Sequence, residues 1–421
     1  MIRVRNPWWI VGACVLGLVC SGGPINIWTF SVFLVPVSDS LHLQRSVIAG
    51  ALAAAGPVGA VCGPFVGALL DRFGARRVIL TGIVLFSLAT AAQSLMTAWV
   101  VGIYLLFMVR ALGAVCQTPP AYAFVVTRWF DHNRGLALGV ALSGVGLGTA
   151  IIPKIAAFLI EHLDWQHAYI GVGIVILVLA GLPVYLFVRE PDPDERARMP
   201  HLANETLPGV SLREALTGSW RFWALALAFF LGIIVLNGTL TMVIPMLKDR
   251  GVKLEAAATV LAYTGFAAIA GRVLSGWLLD RIHGVSVAIG FFVALMIGTA
   301  LLISGWGEAT LIVGAIICGV ANGAEVDMMG FFVSRYFGLR YYGRIMGTMF
   351  AIFVASTGVG PLISTRSFDI YHSYVPAFTF FEVILVVSIV IFSLLGPYPY
   401  PALKRHVPPR TRAGAPGVTV P

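Results

Sequence analysis

Twelve long apolar runs decide what this chain can fold into. They lie at roughly 8 to 37, 46 to 70, 77 to 96, 98 to 127, 136 to 160, 167 to 188, 221 to 247, 256 to 279, 285 to 305, 309 to 334, 345 to 365 and 375 to 395, each long enough to carry a helix across a bilayer core. Apolar residues make up 58% of the 421 and charged ones 11%, far from the half-apolar, quarter-charged mixture of soluble domains. In lipid every backbone N–H and C=O must be paired internally, so such runs fold as helices. The expectation is an all-α membrane protein with twelve transmembrane helices.

The chain is also duplicated. GALLDRFGARR, from Gly67 to Arg77, returns as GWLLDRIHG from Gly276 to Gly284, and RWFDHNRGLALG from Arg128 returns as RYFGLRYYGRIMG from Arg335. The repeat predicts two pseudo-symmetric six-helix bundles, residues 1–188 and 220–396, with a polar, proline-bearing linker at 189–219. A short interfacial helix is expected near Ser211 to Leu216. The Pro-rich basic tail, 397–421, reads as disordered.

A net charge of +9 would suggest nucleic acid in a soluble protein. Sorted by loop, the cations say something else. With a cytoplasmic N-terminus, twenty Lys and Arg lie inside, and only Arg45, Lys248, Arg250, Lys253 and Arg366 lie outside. That asymmetry predicts a multi-pass inner (plasma) membrane protein with both termini cytoplasmic and no nucleic-acid partner. The sequon at Asn204 then lies inside and is not glycosylated. The opening apolar run continues to about Val37, too long for a cleaved leader. The five cysteines sit inside predicted helices without CxxC spacing, so neither disulfide nor metal is implied. No nucleophile, base and orienting acid occur together, and no nucleotide-binding loop is present, which argues against an enzyme, a cofactor and ATP-driven transport.

The motif holding Gly67, Asp71, Arg72, Gly74, Arg76 and Arg77 resembles the signature loop of the major facilitator superfamily, and Asp280–Arg281 stands where that family has its second copy. The resemblance covers about residues 8 to 396. It implies alternating access and cytoplasmic gate residues: Asp71 with Arg72, Asp280 with Arg281, and Arg128 and Arg335 as their partners. WFDHNRGLALGVALSGVGLG, from Trp129 to Gly148, and GRVLSGWLLDR around Arg272 are similar to the monocarboxylate transporter and oxalate:formate antiporter branch, in which an eighth-helix Arg holds the substrate carboxylate. Two departures narrow the substrate. The eleventh run has no second cation, which disfavours a dianion. Ala268 stands where the animal carriers place an Asp.

A charge in mid-bilayer is a functional candidate by default. Arg272 lies ~14 Å along its helix from Arg281, and Glu325 ~15 Å from Arg335, so the two share a level. Asp327, two residues on, points nearly the opposite way. Arg272 is the candidate carboxylate ligand, and Glu325 or Asp327 the candidate proton carrier, with Glu325 matched to Arg272 by depth. Arg110, whose setting RALGAVCQ resembles the superfamily's fourth-helix Arg motif of proton-coupled members, is a candidate structural or coupling charge. Lys154 is expected at the outer interface and Glu382 at the periphery. Asn26, Trp28, Tyr122 and Asn237 complete the candidate pocket. Small residues of the second and fifth runs are expected to face Gly265, Gly271 and Gly276 of the eighth and Gly358 and Gly360 of the eleventh.

Together these readings describe a monomeric carrier that imports a small organic anion, a monocarboxylate, with a proton. The alternative is an organic-anion antiporter or a drug or metabolite exporter, because SGVGLGTAIIP in the fifth run resembles the superfamily's glycine-rich exporter motif. A receptor on the same scaffold is disfavoured, because the tail carries no signalling module.

Overall fold

The computed structural model describes residues 6–130, 134–189, 209–304, 307–338 and 340–400. Most of the linker with Asn204, and the tail from residue 401, lie outside the described residues. Among the described residues, twelve helical spans are long and apolar enough to cross a membrane. In order they are Trp8–Leu41, Arg45–Gly63, Ala75–Leu95, Val100–Val126, Leu136–His162, Trp165–Phe187, Trp220–Asp249, Leu254–Leu279, Gly284–Ile303, Glu308–Phe337, Tyr342–Tyr371 and Val375–Leu394.

Several breaks in these spans have local causes. In the fourth, helix stops at Val115 and restarts at Pro119, because Pro119 and Pro120 supply no N–H and push the preceding residue out of the helical region. The eleventh is interrupted at Ser356 to Gly358. Gly74 is the whole turn between the second and third spans. Its φ of 80° and ψ of 151° suit a residue without Cβ, which gives the signature loop's glycine a reason. The interfacial helix runs Leu212–Gly218, opened by a capping box in which Ser211 and Glu214 bond each other's backbone N–H.

The halves meet along two seams, the fifth span against the eighth and the second against the eleventh. Glycine makes both close. A Cβ on Gly265 would lie 2.7 Å from the Ala150 nitrogen, and one on Gly146 would lie 2.6 Å from Ile269. On the other seam Gly358 rests on the Ala53 backbone, and a Cβ on Gly56 would lie 2.9 Å from the Ala355 carbonyl. Other glycines serve differently from the sequence expectation. Gly271 packs on Val320 and Gly360 on Ile234 within the second half, Gly144 and Gly148 press on the first span, and Gly276 meets nothing within 4 Å. Helical spacing shows that small residues line a face but not which neighbour covers it.

The seams are wedge-shaped. Toward the linker face, Gly63, Gly139, Gly276 and Gly347, one on each seam helix, meet nothing within 4 Å. On the opposite face the halves are bonded. Ser31 Oγ donates to the Thr241 carbonyl at 2.6 Å, and Arg45 contacts both carboxylate oxygens of Asp249 at 2.7 Å. The molecule is shut on the face away from the linker.

Candidate functional site

The centre of the seam holds Arg272. A glycine brings its partner to it: Gly323 of the tenth span packs against the Ala268 backbone of the eighth, and one turn further along each helix stand Asp327 and Arg272. Arg272 Nε donates to Asp327 Oδ2 at 3.0 Å. Its Nη1 donates to the Leu142 carbonyl of the fifth span at 3.2 Å, across the boundary between halves. The side chains of Arg272 and Asp327 remain 28% and 30% exposed. A guanidinium has five N–H donors, so donors remain beyond those spent on Asp327 and Leu142. The Tyr342 hydroxyl rests against Gly330, one turn on from Asp327. Ala268 lies at this contact and supplies no carboxylate. The acid beside Arg272 comes from the tenth span instead.

Glu325 goes elsewhere. Depth matched it to Arg272, but the two-residue step turns it to the far side of its helix. It is 5% exposed and faces Gly232 of the seventh span and Phe292 of the ninth, and neither carboxyl oxygen has a hydrogen-bond partner. Asn237 is spent structurally. It is 1% exposed, and its Nδ2 donates to the Thr357 carbonyl at 3.1 Å, a group released by the break in the eleventh span. Tyr122 is fully buried on Gly17 of the first span, and its hydroxyl has no partner. These three side chains therefore do not meet Arg272 in this conformation. Trp28 is buried and Asn26 half-buried in the π-helical turn Gly23–Trp28, with Asn26 Oδ1 lacking a partner.

Arg110 lies inside the first half. Nη1 donates to Gln93 Oε1 at 2.6 Å, and the guanidinium sits 4.7 Å above the Phe107 ring. Lys154 is exposed, and Glu382 is half-buried with Oε1 unpartnered.

At the linker face the side chain of Asp71 lies outside the described residues. Arg72 stacks on Phe73, Arg281 on Trp277, Arg128 on Phe124 and Arg335 on Phe331. Asp280 is exposed, and among the described residues its carboxylate has no hydrogen-bond or ion-pair partner. Arg335, one of the expected gate partners, lies over Phe331 and does not pair with Asp280 among the described residues. No group of three or more His, Cys, Asp or Glu among the described residues could hold a metal.

Sequence reasoning missed the Leu142 carbonyl, which no side-chain pattern reveals, and the acids of the shut face, Asp249, Glu161 and Asp369. The last two were detectable, since they recur at the repeat spacing.

Twelve spans, two halves packed along glycine seams and a part-exposed cation at the join define a membrane carrier. The chain belongs to the Major Facilitator Superfamily, whose family profile matches residues 14–361. It is 26% identical over 408 residues to the gallate transporter of Pseudomonas putida, covering 85% of this chain and 88% of the relative. To human monocarboxylate transporter 12 it is 23% identical over 406 residues, covering 88% and 77%. The crystal structure of a D-xylose-proton symporter superposes with a TM-score of 0.70 at 14% identity, covering 93% of this chain and 98% of the other. Fold and relatives are those of transporters, not enzymes.

Proposed function

We propose that the protein is a secondary active transporter that carries a small monocarboxylate with a proton, as its halves alternate around Arg272. One observation carries this reading: a part-exposed guanidinium at the seam, held by one carboxylate of its own half and one carbonyl of the other. A planar cation of this kind matches a carboxylate bidentately. Protonating Asp327 neutralises it and frees Arg272 for the substrate, so one anion and one proton cross together without net charge. The gallate and monocarboxylate carriers among the relatives support an acid as cargo, and the symporter likeness is compatible with proton coupling.

In this reading the basic linker face is cytoplasmic, both termini lie inside the inner membrane, and the wedge opens inward. An inward proton gradient drives import. Asp71, Arg72, Asp280, Arg281, Arg128 and Arg335 close the cytoplasmic gate in the other state, and Asn26 and Trp28 remain the first-half candidates for touching substrate. The carrier acts as a monomer and needs no cofactor.

Ligand-dependent thermal stabilisation of the purified protein tests the reading. Monocarboxylates such as benzoate, gallate or pyruvate are expected to raise the melting temperature of wild type and not of Arg272→Ala. Stabilisation only by uncharged or cationic compounds would favour the exporter alternative.

A further inference from the structure

The shut face is closed by a device that repeats with the fold. The second and eighth spans both start there, and neither caps its own N-terminus, since Gln44 and Lys253 make no side-chain cap bond. A helix start leaves N–H groups unsatisfied and carries partial positive charge. Each is satisfied from the opposite half. Ser46 N–H, in the first turn of the second span, donates to Asp369 Oδ2 of the eleventh at 2.9 Å. Glu255 N–H, in the first turn of the eighth span, donates to Glu161 Oε1 of the fifth at 2.9 Å. Ser46 and Glu255 stand 209 residues apart, and Glu161 and Asp369 stand 208 apart, which is the register of the sequence repeat. The two bonds are therefore one contact made twice, once at each seam.

We propose that Glu161 and Asp369 are the paired determinants of this gate, each capping a helix of the other half only while the face is shut. Opening the face strips both caps at once and leaves two helix starts facing water. The corners are not equal. Beside Ser46, Arg45 binds Asp249 and the Tyr374 hydroxyl at 2.7 Å and sits 4.0 Å above the Phe368 ring. The repeat position beside Glu255 is Leu254, which carries no charge. The Asp369 corner is thus the tighter one. The proposal rests on alternating access and not on the substrate, so it can fail or stand independently of the carboxylate reading.

The test is a distance distribution by double electron–electron resonance across this face, with spin labels at Thr97→Cys and Glu308→Cys in a full-length background lacking the native cysteines. Asp369→Asn and Glu161→Gln keep shape but remove charge. Each is expected to raise the open-to-shut ratio about two- to five-fold, Asp369→Asn the more, and the double variant further still. Asp39→Asn, an exposed acid on the same face, is expected to change nothing. In the unmutated protein, hydrogen–deuterium exchange of the peptides holding Ser46 and Glu255 is expected to show one shared opening rate. An unchanged distribution in the double variant, or independent opening of the two peptides, overturns the proposal.

Discussion

Arg272 and Asp327 face each other across the eighth and tenth spans at 3.0 Å, and neither side chain is fully buried. A pair of this kind differs from an ion pair sealed in a core, because both side chains keep part of their surface open, 28% and 30%. Asp327→Asn imitates the protonated acid. It is expected to keep exchange of labelled monocarboxylate between the two sides while abolishing stimulation by a proton gradient. Counterflow and gradient-driven uptake measured on the same proteoliposomes separate the two effects, and loss of both would place Asp327 in the fold instead.

Glu325 is a carboxyl in an apolar cage without a partner. An unsatisfied buried polar group costs about 1–3 kcal/mol. Glu325→Met, of similar length and apolar, is therefore expected to stabilise the protein by an amount of that order and to leave gradient-driven uptake largely intact. Thermal unfolding in detergent and uptake check the two halves of this statement. A collapse of proton coupling would return Glu325 to the transport path.

The seams predict a contrast among glycines. Gly358 lies on the Ala53 backbone and Gly265 on Ala150, so Gly358→Ala and Gly265→Ala force the halves apart in this conformation. Both are expected to reduce transport about ten-fold or more, an overpacking penalty of 1–3 kcal/mol. Gly290→Ala, on the ninth span where a Cβ meets nothing within 4 Å, is expected to leave transport unchanged and to be neutral or stabilising. Initial uptake rates normalised to protein in the membrane provide the comparison.

Asp164 caps the sixth span, accepting the His167 backbone N–H at 2.7 Å, and that bond holds its carboxyl below the usual carboxylate range. A lowered folded-state pKa means that the cap stabilises above the unfolded pKa of about 3.9 and is lost as pH falls through the folded value. Asp164→Ala is expected to melt a few degrees below wild type at any pH from about 6 to 8, with the gap closing only in acid. A gap that instead closed between about pH 6 and 7 would implicate a group other than the Asp164 carboxyl.

The duplicated motifs and apolar runs made the span number and the two halves legible in the sequence, because lipid leaves a run of that length one fold. Arg272 stood out as a candidate for a related reason: a mid-bilayer cation is costly unless it has a partner or a task. Its partner did not stand out. Glu325 and Asp327 differ by two residues, and depth cannot choose between opposite sides of one helix. Asn237 and Tyr122 looked like pocket groups by position, but their surroundings are set by a break in the eleventh span and by Gly17 of the first. The bonds from Glu161 and Asp369 reach 94 and 323 residues along the chain, so only their recurrence in the repeat could have signalled them.

Uptake of labelled monocarboxylates into proteoliposomes, with and without an inward proton gradient, tests the central claim most directly when wild type, Arg272→Lys and Arg272→Ala are compared. The expected result is gradient-stimulated uptake of at least one acid by wild type, weakened in Arg272→Lys, which keeps the charge and loses the fork, and lost in Arg272→Ala by about 10-fold or more. Uptake that ignores Arg272, or a panel in which no monocarboxylate is carried, would contradict it.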